Sequence, residues 1–316
     1  MNEIQYKLSV IIPVYGVEKY IERCAISLFE QTLDSIEYIF INDCTPDKSI
    51  DILKGIIEKY PKRAPHVRIQ NMSRNSGQAA VRNLGISMVK GQYTIQCDSD
   101  DWVDVSMYEK MFEQAVMHDA DVVVCDFYNA NGMNNKPSKA FPLCRTDVPK
   151  KLIDWHCAGQ LWNKMYRTSV YKNRAIILPQ DNMGEDMAMV YQMAFFCKNV
   201  VYIPQCLYYF FSNPNSITHV HSDEKVVRHY LQTCKNTSIV EQFYKQNGYY
   251  GEVSKYIELI KNDERNKILP LLKKDTKYYD LWKNTFPELN SAVLWKNHFK
   301  FKDKIRFLLI YFRLLP

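Results

Sequence analysis

Gln92-Tyr93-Thr94-Ile95-Gln96-Cys97-Asp98-Ser99-Asp100-Asp101-Trp102 sets a short β-branched run directly against three carboxylates. The pattern predicts a central strand over residues 92–97 whose end releases those carboxylates together. Carboxylates at i and i+2 past a strand can turn into one crevice. There, Mg²⁺ or Mn²⁺ is normally held for group transfer by one or two of them plus substrate phosphates. Aspartates also gather in loops because they make turns and caps, so the pattern acquires meaning only from its neighbours.

Upstream, strand and helix alternate. Residues 8–15 predict a first strand, and Tyr20, Ile21, Cys24, Ile26 and Leu28 keep helical spacing within residues 17–32. A second strand at 36–42 leads through Thr45-Pro46, a candidate N-cap and N1 pair, into a helix over 47–60. A strand at 66–70, a helix over 78–90 and the strand at 92–97 repeat the unit. A helix capped by Asp104 and running to about residue 118, then a strand at 122–127, extend it. Such alternation implies an α/β fold with a mainly parallel sheet covered on both faces, binding ligands beyond the carboxyl ends of its strands. After residue 129 the rhythm breaks into a surface excursion to about residue 149. A helix over 185–198, strand-like runs at 200–203 and 207–211, and mostly helical patterns from residue 223 follow.

Composition narrows the function. The 316 residues are 47% hydrophobic and 24% charged, as in an ordinary folded protein. Subtracting 35 acidic from 41 basic residues leaves +6, yet residues 295–316 alone hold six Lys/Arg and one Asp, leaving the other 294 residues at +1. Nucleic acid is therefore not an expected partner, since its binders spread basic charge over a docking face. Nine cysteines without a C-x-x-C spacing suggest buried thiols in a reducing compartment. Residues 1–8 show no apolar leader, and the apolar run at 307–312 is far short of a span, so a cytoplasmic chain is expected.

Other residues at strand ends carry chemistry. Pro13-Val14-Tyr15 and Asn42-Asp43 could place an aromatic ring and a carboxylate around a base, although Asp43 could equally orient the turn toward Thr45. Arg74-Asn75-Ser76-Gly77-Gln78, followed by Arg82, offers backbone donors and guanidinium groups suited to a diphosphate. Small Ala79, Ala80 and Gly85 also let that helix pack closely on a sheet.

In order, Ser9-Val10-Ile11-Ile12-Pro13-Val14-Tyr15, Ile41-Asn42-Asp43, Asn75-x-Gly77 with Arg82-Asn83-x-Gly85, and Asp98-Ser99-Asp100-Asp101-Trp102 resemble the family-2 glycosyltransferases of GT-A fold. The resemblance covers about the first 105 residues and is far more specific than any single motif. It implies a nucleotide-diphospho-sugar donor, UDP-sugar in first place, with Pro13, Val14, Tyr15 and Asp43 around the base. Arg74, Asn75, Gly77, Arg82, Asp98 and Ser99 would complete the donor site, and Asp98 and Asp100 would hold Mg²⁺ or Mn²⁺. Leu161-Trp162-Asn163-Lys164 and Gly184-Glu185-Asp186 are similar to later family segments. They imply Asp186 as the base of an inverting transfer, Glu185 beside it, and Asp101, Trp102, Trp162 and Lys164 as sugar or acceptor contacts. The dipole of a helix start favours acidic residues whatever their function, which leaves the Glu-Asp pair a second explanation. His219, with His221 as substitute, resembles a basic residue that folds over the diphosphate or metal. Gly16 and Cys44-Thr45 depart from the family pattern.

The expected organisation is a GT-A domain over residues 1–221, divided into a donor half (1–128) and an acceptor half (129–221), then a helical region over 222–316. In its tail, residues 295–316, lysines and arginines alternate with large apolar residues, so it could lie on an anionic membrane surface, dock on the core or join an oligomer. A peripheral enzyme at the inner face of the membrane, with a glycan or lipid-linked acceptor in surface polysaccharide biosynthesis, is the resulting expectation. The rival readings are a noncatalytic glycosyltransferase-like scaffold on the membrane and another nucleotide-sugar enzyme. A nucleotidyltransferase would need a basic Gly-rich loop after the first strand, and no P-loop signature exists.

Overall fold

A computed structural model describes residues 6–131, 135–140, 159–213 and 222–314. Its first strand, β1 (Tyr6–Val14), is apolar at consecutive positions because both of its faces are covered. Val10, Ile12 and Val14 face one core, while Ile11 joins the other. Around β1 the chain lays down α1 (Ile21–Phe29), β2 (Ile36–Asn42), α2 (Ser49–Lys59), β3 (Val67–Asn71), α3 (Gln78–Met88) and β4 (Gly91–Gln96). Strands β3, β2, β1 and β4 lie side by side, all parallel. Chain order reverses on either side of β1, which creates the switch-point crevice where open α/β sheets bind ligands.

Beyond β4 the sheet becomes mixed. The added elements are β5 (Trp102–Val103), α4 (Met107–Met117), β6 (Val122–Ala130), β7 (Asn135–Ser138), β8 (Lys164–Arg167), α5 (Thr168–Tyr171), α6 (Glu185–Ala194) and β9 (Val200–Phe211). β8 runs antiparallel between β4 and β6, β9 is parallel to β6, and β5 is an antiparallel edge on β9. The expected pair of strands at 200–203 and 207–211 is therefore one strand, and the register shift opposite Asp126 is the irregularity that divides it in sequence. Part of the expected surface excursion is ordered: β6 continues to Ala130 and turns back as β7.

Two cap expectations are corrected. α2 starts at Ser49 after Lys48, and Thr45 instead accepts from the Gly16 N–H and donates to Asp47 Oδ1. α4 starts after Ser106, with Asp104 Oδ1 accepting from the Ser106 N–H at 2.9 Å. Asp104 spends its acceptor on the connection just before the helix, while Thr45 accepts from the loop after β1 and donates within its own connection. All seven described cysteines are free thiols, five of them buried.

Ser222 caps α7 (Asp223–Gln246) through its hydroxyl, which accepts from the Lys225 N–H. One face of α7, with Val240, Phe243 and Tyr244, belongs to the core under α6, where the Tyr244 hydroxyl donates to Tyr191 O at 2.7 Å. The remaining helices are α8 (Tyr250–Asn266), α9 (Leu269–Leu272), α10 (Lys277–Asn284), α11 (Leu289–Trp295) and α12 (Phe301–Tyr311). Val253, Ile257 and Ile260 of α8 join the core under α6, while α9 to α12 build a third core with Tyr230 and Cys234 of α7. Inside that core Arg265 lies under the Trp282 ring at 4.3 Å and donates to Asn290 Oδ1 at 2.9 Å; burial pulls its pKa down to about 10. Among the described residues no helix is long and apolar enough to cross a membrane.

The close packing expected of α3 is present. A Cβ on Gly85 would lie 2.5 Å from Ile11 Cγ2, in the middle of β1. Gly85→Ala must therefore lift α3 from the sheet. We expect a destabilisation of about 1–3 kcal/mol, read as a lower thermal midpoint by differential scanning calorimetry; an unchanged midpoint would show that α3 can shift freely.

Candidate active site

The first group of candidate residues stands at the ends of β1 and β2. The Asp43 N–H donates to Val14 O at 3.1 Å, which sets Asp43 beside the end of β1. Its buried carboxylate accepts from the Ser76 N–H at 2.7 Å through Oδ1 and from the Gly77 N–H at 2.8 Å through Oδ2. The loop carrying Arg74 and Asn75, both exposed, is thereby fastened to the sheet. Gly77 is required twice: its φ is +84°, and a Cβ would come within 2.3 Å of Asn182 Nδ2. Asn182 Oδ1 in turn accepts from the Ala79 N–H at 3.1 Å, satisfying a donor in the first turn of α3. Pro13 is half-buried, Val14 buried and Tyr15 half-exposed.

After β4 the three aspartates part company. Asp98 is partly exposed, and its Oδ1 accepts from Arg82 Nη2 at 2.8 Å. Asp100 Oδ2 accepts from the Asn213 amide at 2.9 Å, and Asp100 O accepts from Arg23 Nη2 at 3.0 Å. Burial first, and the Asp98 charge second, raise the Asp100 pKa. Two oxygen-donor side chains that repel each other in a crevice suit a hard cation completed by substrate phosphates. Among the described residues no group of three potential ligands exists, so the protein alone would supply an incomplete shell. Ser99 is buried between them.

Asp101 points elsewhere. It is 1% exposed, accepting from the Tyr208 hydroxyl at 2.6 Å and from the Phe211 N–H at 2.6 Å, so it pins β9 to the acidic loop. Trp102 is stacked on Tyr209 with Arg23 over its other side at 3.6 Å. Trp162 is buried, stacked on Tyr208 at 4.3 Å. The Lys164 ammonium, also buried, donates to Gln160 O at 2.7 Å and Asn163 Oδ1 at 2.9 Å. Asp101, Trp162 and Lys164 are thus buried and Trp102 is partly exposed, all four held by aromatic stacking or hydrogen bonds; Lys164 stands near enough to Asp186 to oppose the rise in its pKa.

Arg82 organises the opposite side. Its guanidinium is buried and ion-paired with Asp98 through Nη2 and with Glu185 through Nη1. Burial alone would lower its pKa, but Asp98 and Glu185, with Asp186 behind them, raise it. Thus α3, the acidic loop and the first turn of α6 meet at one cation. Glu185 is pushed upward by burial and by the adjacent Asp186, against the pull of Arg82. The Asp186 pKa is likewise raised, burial outweighing Arg82 and Lys164; its Oδ1 accepts from the Met187 N–H at 2.7 Å. A carboxylate of raised pKa at the mouth of a helix is equipped to accept a proton.

The structure therefore brings Asp98, Asp100, Glu185 and Asp186 close together about Arg82, with Asp43 and the loop of Arg74, Asn75 and Gly77 joined to one another at the ends of β1 and β2. His219 and His221 lie outside the described residues. Arg23, Asn182, Tyr208 and Asn236 were missed. Asn236 Nδ2 donates to Asp181 O and Met183 O, both at 2.8 Å, fixing the turn into α6 from 53 residues away. No local pattern marks such partners; only the tertiary fold brings them together.

The family model described as glycosyl transferase family 2 matches residues 9–175. The glycosyltransferase EpsJ of Bacillus subtilis is 30% identical over 228 residues, which are 67% of this chain and 63% of EpsJ. The chain thus spans less than two thirds of that relative's length. Among solved structures, S. aureus TarS 1–349 in complex with UDP-GlcNAc matches with a TM-score of 0.60 at 18% identity, over 90% of this chain and 92% of that one. Mannosyltransferase PcManGT from Pyrobaculum calidifontis, in complex with GDP-Man and Mn²⁺, matches at 0.54 and 11% identity, over 97% and 86%. These likenesses show the GT-A fold: a mixed, mostly parallel sheet followed by C-terminal helices. With its acidic loop at the end of β4 and its Glu-Asp pair opening α6, the chain belongs to glycosyl transferase family 2.

Proposed function

We propose that the chain transfers a sugar, with inversion and with the help of Mg²⁺ or Mn²⁺, from a nucleotide-diphospho-sugar to a hydroxyl of a glycan or lipid-linked acceptor. The observation that carries this reading is the convergence of Asp98, Asp100, Glu185 and Asp186 around buried Arg82 at the carboxyl ends of the strands. The donor is a UDP-sugar by preference. TarS is held with UDP-GlcNAc, and PcManGT with GDP-Man and Mn²⁺, which supports both a nucleotide-sugar and a divalent cation here.

In this mechanism the base sits between Tyr15 and Asp43, whose oxygens each keep a lone pair beyond the loop N–H groups they accept. Asp98 and Asp100 would hold the cation, which when bound offsets the charge of the leaving diphosphate. Asp186 accepts the proton of the acceptor hydroxyl as that oxygen attacks the anomeric carbon. The bond to the diphosphate breaks with its electron pair, and a single in-line displacement inverts the centre. Glu185 holds Arg82, and Arg82 holds Asp98, so positioning and charge placement carry the rate. The acceptor would be met at the inner face of a membrane, in assembly of surface polysaccharide; the limit near residue 128 would divide donor from acceptor contacts, and residue 221 would end the transferase domain before the helical region.

Isothermal titration with UDP, GDP and dTDP, each with Mn²⁺ and with EDTA, should show one nucleotide binding only with metal. Asp100→Ala should abolish the metal-dependent part; no binding of any nucleotide by the parent chain would move the reading to a noncatalytic scaffold.

Asp186→Asn preserves shape but removes the proton acceptor. It should bind donor as the parent does while losing about 10²–10⁴ in transfer rate, and a fully active variant would remove Asp186 as base.

A base must be ionised, and the Asp186 pKa is raised. The pH profile of kcat/KM should therefore rise with pH along an acidic limb lying above the ordinary aspartate range. A limb at that ordinary value would show that Asp186 does not set it.

A further inference from the structure

The sequence left three fates open for the tail: membrane, core or oligomer. The structure shows that α12 uses one side for the core. Phe307 and Ile310 are 3% and 1% exposed, and the Phe307 ring packs against Trp282 at 5.6 Å. Its opposite side is not covered. Phe301, Ile305, Leu308 and Phe312 follow i, i+4, i+7, i+11 spacing, which places them in one line along a helix. All four are exposed, from 40% for Leu308 to 77% for Phe301. Trp295, at the end of the preceding helix, is 81% exposed.

Basic residues border this line. Lys302 and Arg306 fall on one flank by helical spacing and Lys304 on the other, with Lys300 at the N-terminal end and Arg313 beyond the last turn. Arg313 is paired with Asp280, and Asp263 lies near Arg306 and Lys302 with Asp303 adjacent, so the flank is not wholly uncompensated. The balance is still positive, six Lys/Arg against one Asp over residues 295–316. An apolar line rimmed by cations matches the layering of an anionic leaflet, acyl boundary inside and phosphates outside. A helix lying in water, or against a neutral surface, gains nothing from that rim.

We propose that docked α12 is a preformed contact for an anionic bilayer. Phe301, Ile305, Leu308 and Phe312, with Trp295, enter the headgroup region while Lys300, Lys302, Lys304 and Arg306 meet lipid phosphates. This deepens the membrane-proximal reading given above and rests on it, but not on the donor chemistry. Because Phe307 and Ile310 stay in the protein core, the helix lies in the membrane plane without leaving the protein.

The full chain should cosediment with vesicles of phosphatidylglycerol and phosphatidylcholine, bind pure phosphatidylcholine vesicles about tenfold less, and detach as salt is raised. The double substitution Ile305→Ser, Leu308→Ser touches only exposed positions. It should lower vesicle binding about tenfold while keeping the thermal midpoint and nucleotide binding of the parent. Equal vesicle binding by parent and variant, or none by the parent, overturns the proposal. So does a dimer in sedimentation equilibrium that the substitutions dissolve, since the face would then belong to a second copy. Loss of nucleotide binding in both proteins with vesicle binding intact would instead strike only the transferase reading.

Discussion

The guanidinium of Arg82 is the interaction on which the site depends. A cation taken out of water is costly to bury, and it is retained only where partners surround it. Here the partners come from different parts of the chain: Asp98 from the loop after β4 and Glu185 from the start of α6, 103 residues from Arg82. Glu185 could not be buried so deeply without the cation, nor the cation without its two partners. Removing one member of such a set leaves an unpaired buried charge, typically a loss of about 3–5 kcal/mol. Structure and chemistry thus share one set of charges.

The remaining aspartates divide by what occupies their oxygens. Asp101 is consumed by the Tyr208 hydroxyl and the Phe211 N–H, and pins the edge of the sheet. Asp43 fastens the loop that ends at Gly77. Asp98 and Asp100 keep one side toward the crevice, and Asp186, bonded to the Met187 N–H, keeps a raised affinity for protons. Hydrogen-bond partners separate Asp100 from Asp101: adjacent residues supply a candidate cation ligand and a structural anchor.

This division explains what the sequence could and could not disclose. Strands β1, β2 and β4 are local patterns of β-branched residues, and their boundaries are legible within a residue or two. The order of carboxylates at strand ends is legible too, because it follows from chain order alone. Which way a side chain turns is not. Asp101 and Trp162 look like their neighbours in sequence, and only the arrival of Tyr208 on β9 supplies their partners. Thr45 and Asp104 misled as helix caps for a related reason, since a short polar side chain serves a turn as readily as a helix start. Asn236 carries no signal, because its partners are the carbonyls of Asp181 and Met183.

Helix α7 links these two halves of the molecule. Its Asn236 holds the turn that delivers Glu185 and Asp186, and its Val240, Phe243 and Tyr244 lie in the core under α6. Its Tyr230 and Cys234 lie in the third core, the one that also takes Phe307 and Ile310 of α12. One continuous helix therefore holds the turn that leads to Asp186, the proposed proton acceptor, and shares a core with the helix whose outer line is apolar and cation-rimmed. Packed cores transmit position with little compliance. If α12 rests on a bilayer, α7 fixes how far from it Asp186 stands, so the reach to a lipid-linked hydroxyl is set by the packing of Tyr230, Cys234 and Asn236 along a single helix.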